Sequence, residues 1–376
     1  MESEGKLIYA ENIPALGFKV VKEEKTLSEI KLFERGMESE HYKILFDENM
    51  NMVSVFDKDN QREVVEAGKA FNQLRTYEDY PLVHDNWEMA DYHKQKMWEV
   101  SDVSGVETIK GNGYGGYRIT RKLQNSMIIQ TILIYAESRR IDVKNEIDWH
   151  EHHLFLKAIF PMSVHATKAN YEIQFGNIER PNHSNTSWDA EKFEVCAQKW
   201  GDLSEEDYGV SILNDCKYGY GAVGNEMTLT LIKCGTDPNP EADQGEHIFT
   251  YSIYPHKDNA RRGGTIKEAY QLNRPLVATK TNGGGTLSDS FSLITCANEN
   301  IVIETIKQAE DGEDLIVRLY DTWDKKTDVK LCLGFEAESV MLCDLMENVL
   351  ETIGNGNKVT VPVGNFEIVT LRIKQK

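Results

Sequence analysis

The sequence predicts an all-β protein, because apolar and polar residues alternate along several segments and few segments have a helical period. Along residues 141–149, four apolar side chains share one face and charged side chains occupy the other. A period of two is typical of a half-buried antiparallel strand. Residues 128–135 form a run rich in β-branched side chains, which predicts a central strand.

Glycine-rich turns separate these segments, as expected for a β-sandwich architecture. The clusters lie at residues 111–116, 261–264, 283–285 and 354–356. The first cluster is not followed by the apolar helix that a phosphate-binding loop requires, so we predict a hairpin turn there. Only residues 68–74 and 265–272 have the period of a short helix.

The composition excludes several classes of function. The chain has 376 residues, 42 Lys and Arg, 61 Asp and Glu, and a formal net charge of −19. Such an acidic chain is poorly suited to nucleic acid or to an anionic membrane surface. No apolar run reaches the roughly 18 residues that a membrane-spanning helix needs.

The cysteines and the first residues predict a cytoplasmic protein. The six cysteines are far apart, and no two of them have CxxC spacing, so we expect them to be reduced and mostly buried. The first five residues are acidic and lack the basic and apolar parts of a signal peptide.

Four stretches are rich in polar and aromatic residues, and two of them have the composition of a carbohydrate site. The stretches are 77–88, 150–153, 176–189 and 214–221. The first and third combine tryptophan with carboxylates, amides and arginine, which suits stacking on a sugar ring and hydrogen bonding to its hydroxyls. Packing or a domain interface is the alternative interpretation.

The sequence gives only weak evidence for a metal site or for a catalytic nucleophile. On a strand, His150 and His152 would share one face, but zinc needs three or four converging ligands, so we favour surface histidines. Lys217 beside Cys216 would lower a thiol pKa, although a cysteine at a strand end is more often inert. Neither a GxSxG elbow nor an HExxH helix occurs.

A series of motifs, in family order along nearly the whole chain, resembles the C-terminal β region of glycoside hydrolase family 38 α-mannosidases. The motifs include Tyr77-Glu78-Asp79-Tyr80-Pro81, Asp148-Trp149-His150-Glu151-His152, Glu179-Arg180-Pro181, Asn185-Thr186-Ser187-Trp188-Asp189, Leu213-Asn214-Asp215-Cys216-Lys217-Tyr218-Gly219 and Glu304-Thr305-Ile306-Lys307-Gln308. The resemblance is greatest to the cytosolic and bacterial branch. Met50 stands where the family usually has a turn glycine, and Asn365 where it usually has a proline.

The resemblance implies a fold and its boundaries. It implies a galactose-mutarotase-like β-supersandwich over residues 37–297 and a smaller immunoglobulin-like β-sandwich over residues 298–376. Residues 1–36 would be the end of a preceding small β domain or a linker.

The resemblance also implies where the chemistry lies. Family members resemble retaining, zinc-dependent hydrolases whose zinc ligands and Asp nucleophile belong to an N-terminal barrel and its adjoining helical domain. We therefore expect this chain to be a C-terminal portion without catalytic residues, metal or cofactor of its own, inactive alone. Its expected partners are α-mannoside glycans and the N-terminal catalytic domain, and an uncovered interface would favour homo-oligomers.

By position, the resemblance implies accessory substrate contacts from three loops. The residues are Asp79, Asp85 and Trp87 in the first loop, Arg180, His183 and Trp188 in the second, and Asn214, Asp215, Lys217 and Tyr218 in the third. An interface with the catalytic domain would use the same residue types.

Two other functions remain open at this point. A free-standing carbohydrate-binding module would use Trp87 or Trp188 as its platform. A mutarotase-like epimerase would need a histidine and a carboxylate to converge, and His153 or His183 with Glu179 are the candidates.

Overall fold

The computed structural model of the chain describes residues 2–3, 6–7, 9–22 and 25–376, which divide into two compact units. The first unit comprises Met1–Lys25, Ile173–Asn177 and Val277–Lys376, and the second comprises Thr26–Glu172 and Ile178–Leu276. Within the predicted leading segment 1–36, residues 1, 4, 5, 8, 23 and 24 lie outside the described residues.

Short antiparallel strands form the first part of the chain. They are β1 (Glu2–Ser3), β2 (Lys6–Leu7), β3 (Gly17–Lys19), β4 (Lys31–Phe33), β5 (Gly36–Glu38), β6 (Tyr42–Phe46), β7 (Met52–Asp57) and β8 (Arg62–Glu63). Strands β4 to β8 form a five-stranded sheet in chain order. In β6, Tyr42, Ile44 and Phe46 are buried and alternate with exposed residues. The turn after β6 holds Met50 at a φ of 57°, a left-handed conformation in which glycine is ordinarily found.

Two larger sheets make up the rest of the second unit, except that residues 173–177, at one turn between two strands, belong to the first unit. Their strands are β9 (Gln73–Glu78), β10 (Met97–Glu99), β11 (Val103–Gly111), β12 (Tyr114–Leu123), β13 (Ser126–Tyr135), β14 (Ile141–Trp149), β15 (Leu154–Pro161), β16 (Lys168–Ile173), β17 (Gly176–Pro181), β18 (Val195–Cys196), β19 (Trp200–Ser204), β20 (Tyr208–Asn214), β21 (Gly219–Val223), β22 (Glu226–Lys233) and β23 (Gly245–Lys257). The helices are a 3-10 helix at Asp91–Gln95, α1 (Ser187–Ala190) and α2 (Thr265–Asn273).

The two sheets enclose one apolar core. One has six strands in the order β10-β9-β15-β22-β21-β18, and the other has nine in the order β11-β12-β13-β14-β23-β20-β19-β16-β17. Leu156 and Phe160 enter the core from the six-stranded sheet, and Ile132, Val143 and Ile253 enter it from the nine-stranded sheet. The outer face of the six-stranded sheet carries the polar groups described below.

The local predictions have mixed outcomes. The period-two segment is strand β14, the glycine cluster after β11 is a hairpin turn, and the helix predicted at 265–272 is α2. The helix predicted at residues 68–74 is wrong, because this segment is a turn that leads into β9. Buried Phe71 and Leu74 pack as parts of extended segments, and their spacing of three imitates one helical turn.

The C-terminal part of the chain forms a smaller sandwich. Its strands are β24 (Ser290–Ser292), β25 (Ile294–Cys296), β26 (Ile301–Gln308), β27 (Leu315–Asp321), β28 (Thr327–Cys343), β29 (Val349–Val363) and β30 (Ile368–Gln375). Strand β28 pairs with β29 along its whole length, with β25 in its first half and with β30 in its second half, so the sheet curls around its core. Leu319, Val340 and Leu371 are fully buried in that core.

The predicted fold class is confirmed: the chain is almost entirely β, with a supersandwich followed by a smaller sandwich. Strand β3 pairs with β24, which joins the beginning of the chain to the unit that contains the smaller sandwich. Within the described residues, no helix has the length and apolar character needed to cross a membrane.

Candidate functional site

Two buried aspartates fix the ends of the loop that follows β9. Asp79 accepts a hydrogen bond from Nζ of Lys233 at 2.6 Å, and its backbone nitrogen donates to the carbonyl of His153 at 2.8 Å. Asp85 accepts hydrogen bonds from the backbone nitrogens of Thr236 at 2.8 Å and Asp237 at 2.6 Å. Both predicted aspartates therefore hold the loop in place and have little surface of their own to offer a ligand.

The two carboxyls have opposite pKa shifts. Burial raises the pKa of Asp79 above its usual value, and this effect exceeds the lowering by the Lys233 ammonium. Burial also acts to raise the pKa of Asp85, but hydrogen bonds from Asp237 and Thr236 outweigh it and leave that pKa below its usual value. Asp85 is thus held as a carboxylate at neutral pH.

A surface cavity of about 340 Å³ lies between these anchors. Its lining residues are Tyr80, Pro81, Leu82, Val83, His84, Asp85, His153, Thr236 and Asp237. The ring of Tyr80 stacks on that of His153 with the centroids 4.1 Å apart, and half of the Tyr80 surface remains exposed. Nδ1 of His84 lies 2.7 Å from a carboxylate oxygen of Asp237. An aromatic plane beside imidazole and carboxylate groups suits a small polyhydroxylated ligand.

Exposed aromatic and aliphatic side chains surround the cavity. Leu82 is 92% exposed and Trp87 is 71% exposed, with the Trp87 indole 5.3 Å from the ring of His84. The hydroxyl of Tyr92, on the 3-10 helix, donates to the carbonyl of Tyr80. The loop thus has a fixed backbone and an apolar outer surface, which is the combination that docking surfaces favour.

The second predicted loop is ordered but separate. Arg180 stacks over the ring of Tyr171, with 5.1 Å between the guanidinium carbon and the centroid. Nδ1 of His183 lies 3.7 Å from Asp189. Trp188, on α1, is 81% exposed.

The N-terminus of α1 is capped by one residue of this loop. Thr186 Oγ1 accepts a hydrogen bond from the backbone nitrogen of Asp189 at 3.1 Å. Hydrogen bonding from Thr186 lowers the pKa of Asp189. The exposed indole of Trp188 is therefore carried by a well-defined turn.

The third predicted loop is mainly structural. Asn214 is fully buried, and its amide donates to the carbonyl of Gln198 at 2.9 Å. Asp215 accepts a hydrogen bond from the backbone nitrogen of Thr250 at 2.9 Å.

The remaining two predicted residues of the third loop lie nearer the surface. Lys217 Nζ lies 4.3 Å from the centroid of Phe249, and burial lowers the Lys217 pKa. Tyr218 is 46% exposed and is the one aromatic platform of this loop.

The structure unites only part of the predicted site. Of the ten predicted residues, Asp85 lines the cavity, Asp79 anchors its edge and Trp87 adjoins it. Residues of the other two loops do not line it. Sequence reasoning missed Thr236 and Asp237, which reach the cavity from a distant part of the chain. Tyr80 and His84 lie inside the stretch 77–88 but are not among the ten predicted residues.

The histidine cluster does not form a metal site. Strand β14 ends at Trp149, so the expectation that His150 and His152 share a strand face is wrong. His150 instead lies 2.8 Å from Asp148. In the described part of the chain, no group of three or more His, Cys, Asp or Glu side chains could hold a metal ion.

Cys216 lacks the features of a nucleophile. Burial is the main cause that raises the pKa of Cys216 to about 11, and Lys217 offsets it only in part. The expectation that most cysteines are buried is wrong, since only Cys234 and Cys343 are buried. Exposed positions on strands and turns accept a small thiol as readily as the core does.

The histidine–carboxylate pair of an epimerase does not form from the residues that were named. Glu179 pairs with Lys168 at 3.0 Å, whereas His183 lies beside Asp189. His153 Nδ1 lies 3.7 Å from Asp85 and 3.2 Å from the carbonyl of Asp79.

A buried ion pair lies on the outer face of the six-stranded sheet. Nζ of Lys157 lies 2.5 Å from a carboxylate oxygen of Glu194, whose other oxygen accepts from the Thr230 hydroxyl. His93, on the 3-10 helix, is buried with its ring 5.4 Å from that of Phe155. Burial is the main cause that lowers the His93 pKa. The contact of His93 with Phe155 attaches the helix to the sheet, and the hydrogen bond from Tyr92 to Tyr80 attaches the candidate loop to the helix.

Comparisons with known proteins identify the family. The glycosyl hydrolases family 38 C-terminal domain matches residues 37–241, and the family 38 C-terminal β-sandwich domain matches residues 300–371. Human α-mannosidase 2C1 is 37% identical over 294 residues, which is 76% of this chain and 28% of that protein. Dictyostelium discoideum α-mannosidase G is 34% identical over 356 residues, which is 89% of this chain and 32% of that protein.

A solved structure agrees in fold. The crystal structure of an α-mannosidase from Enterococcus faecalis V583 superposes with a TM-score of 0.74 at 17% identity, covering 90% of this chain and 42% of that one. The chain thus spans less than half of the proteins it matches. It belongs to glycosyl hydrolase family 38, of which it carries the C-terminal domain and the C-terminal β-sandwich domain.

Proposed function

We propose that this chain is the C-terminal β part of a retaining, zinc-dependent α-mannosidase, a cytoplasmic enzyme of α-mannoside breakdown. The observation that carries the proposal is the pair of family matches, which cover residues 37–241 and 300–371 in that order. The relatives matched along most of the chain are α-mannosidases, and the matched region makes up 28% and 32% of their length. All six cysteines are free, which supports a reducing compartment.

The chain's own residues do not fit a zinc ion. His84, His150 and His183 each lie beside a single aspartate, and no third donor converges with any of these pairs within the described residues. Zinc binding requires three or four converging donors. We therefore assign zinc binding and the nucleophile to the remaining part of the enzyme, and we derive no catalytic step in this chain.

In this proposal, the loop between Asp79 and Trp87 has two roles. Its apolar outer surface, with Leu82 and Trp87 exposed, docks on the catalytic part of the enzyme. Its cavity, with Tyr80 stacked on His153, contributes an aromatic plane and hydrogen-bonding groups to the sugar-binding site of the enzyme. Rigid anchoring by two buried carboxylates supports both roles, because a preorganised surface loses little entropy on binding.

The first experiment measures hydrolysis of an aryl α-mannoside by the purified chain, with zinc and with a chelator. The proposal expects no turnover in either condition. Chelator-sensitive turnover would contradict it, because the catalytic site would then lie in this chain.

A second experiment titrates the chain with methyl α-mannoside and follows aromatic NMR signals. We expect weak binding that Tyr80→Ala reduces about fivefold to tenfold, the effect of losing one aromatic contact. Trp188→Ala is the matched control, since Trp188 does not line the cavity. Unchanged binding in Tyr80→Ala would rule out the cavity as the sugar site.

A free-standing carbohydrate-binding module is the second candidate, and the exposed indoles of Trp87 and Trp188 favour it. It predicts that the chain alone binds an oligosaccharide tightly and that Trp87→Ala or Trp188→Ala abolishes this binding. The enzyme-part proposal predicts instead that only cavity substitutions weaken sugar binding.

A further inference from the structure

The sequence contains three Asn-Gly pairs, which the structure holds in three different ways. They are Asn112-Gly113, Asn282-Gly283 and Asn355-Gly356. The side-chain amide of an Asn before Gly is unusually open to attack by the next backbone nitrogen, because glycine has no side chain to hinder the approach. Whether the attack happens depends on how freely the backbone moves.

The first pair is held firmly in the turn between β11 and β12. Oδ1 of Asn112 accepts a hydrogen bond from the backbone nitrogen of Leu27 at 2.9 Å. The carbonyl of Gly113 accepts one from Ala136 at 2.9 Å, and a Cβ added to Gly113 would lie 2.4 Å from Leu27. Two hydrogen bonds to other segments therefore restrain the backbone of this pair.

The third pair is exposed at its asparagine but fixed in its backbone. Asn355 lies inside strand β29, and Gly356 pairs with Ala337 of β28. Exposure of the side chain alone is therefore not what distinguishes the three pairs.

The second pair lies in the stretch between α2 and β24, where every residue from 279 to 291 is exposed. Within the described residues, no atom lies within 4 Å of a Cβ added to Gly283, Gly284 or Gly285. The backbone nitrogen of Gly283 has a long hydrogen bond of 3.3 Å to the hydroxyl of Thr281. Open surroundings and consecutive glycines allow this backbone to sample the attacking geometry.

We propose that Asn282 is a site of spontaneous deamidation. The backbone nitrogen of Gly283 loses its proton and bonds to Cγ of Asn282, the Cγ–Nδ2 bond breaks, and ammonia leaves. Water then opens the resulting five-membered imide at either carbonyl, which yields aspartate or isoaspartate. Each event adds one negative charge to a chain with a formal net charge of −19, and isoaspartate also lengthens the backbone by one carbon.

The test incubates the purified full chain in mildly alkaline buffer and follows the three Asn-Gly peptides by mass spectrometry. We expect the mass gain of one unit to appear at least about tenfold faster at Asn282 than at Asn112 or Asn355, as backbone protection in a fold predicts. In denaturant, the three rates should converge, which shows that the difference comes from the structure.

Two variants complete the test. Asn282→Ala removes the mass gain in the peptide that contains residue 282. Gly283→Ala slows the mass gain because the methyl group hinders the attack on Asn282, although no other residue lies close to the methyl group. The proposal fails if Asn112 or Asn355 reacts as fast as Asn282 in the folded chain, or if Asn282 stays unmodified there while it reacts in denaturant.

Discussion

Asp85 and Thr236 lie 151 positions apart, yet both carboxylate oxygens of Asp85 lie 2.8 Å from the backbone nitrogen of Thr236. The Thr236 hydroxyl donates to the same carboxylate at 3.0 Å, and the backbone nitrogen of Asp237 donates at 2.6 Å. One side chain therefore ties the loop after β9 to the segment after β22, and the candidate cavity lies at this junction.

Removal of this carboxylate should destabilise the protein. We expect Asp85→Ala to lower the free energy of unfolding by about 2–3 kcal/mol, because hydrogen bonds to a charged group are lost and buried donors remain unpaired. Urea denaturation measures the change. Asp237→Ala is the control, since its exposed side chain pairs with the exposed His84, and it should cost less than about 1 kcal/mol. Equal losses in the two variants would contradict the anchoring role of Asp85.

Acidification should weaken the fold through His93. Burial holds the pKa of His93 below its usual value of 6.5 in the folded chain, so the unfolded chain binds more protons between the two pKa values. The contribution of His93 to stability is complete above about pH 6.5 and falls as the pH drops below that value. We expect the urea midpoint to fall over this window, and less so in His93→Gln. His183→Gln, at an exposed position, should retain the pH dependence of the urea midpoint. If His93→Gln has the same pH dependence as the unchanged protein, groups other than His93 cause it.

The buried ion pair should be costly to break from one side. We expect Lys157→Met to lower the free energy of unfolding by about 3–5 kcal/mol, because the Glu194 carboxylate would remain buried without its partner. The double variant Lys157→Met with Glu194→Gln should recover part of this loss. The matched control is Lys168→Met, which breaks the exposed pair with Glu179 and should cost less than about 1 kcal/mol. A double variant that loses as much stability as Lys157→Met and Glu194→Gln lose in sum would show that the pair has no coupling.

The strand pair between β3 and β24 should be sensitive to one methyl group. A Cβ added to Gly17 would lie 1.9 Å from the carbonyl oxygen of Phe291, so we expect Gly17→Ala to displace β3 and cost about 1–3 kcal/mol. Limited proteolysis should then cleave between residues 9 and 20. Gly285→Ala, where the added methyl meets no described atom within 4 Å, is the control. If Gly17→Ala resists proteolysis as well as the unchanged protein does, β3 contributes little to stability.

The fold was predictable where one face of a strand is buried, and less so elsewhere. Strand β14 has a clean alternation because the core faces it on one side only. Residues 68–74 were misread because two buried residues three positions apart fit a helix and an extended segment equally well. Resemblance, not periodicity, predicted the supersandwich.

The candidate site was predictable only in part. A polar stretch marked the loop from Asp79 to Trp87, but no local pattern indicates that Thr236 closes the cavity across 151 positions. The resemblance predicts Asn214 as a substrate contact by the position of its loop, yet its amide donates to carbonyl and hydroxyl groups inside the fold. The sequence alone cannot separate such buried polar residues from those that face a ligand, because both need the same functional groups.

The pairing of β3 with β24 also constrains the order of events during synthesis. The Ser292 hydroxyl donates to the carbonyl of Ala15, a contact that spans 277 positions. At about 5–20 residues per second, the ribosome would take roughly 15–55 s to make the chain between them. The second unit can fold during that interval, when β3 has been synthesised but its partner strand β24 has not. A chaperone that shields this strand in the nascent chain would have its greatest effect there.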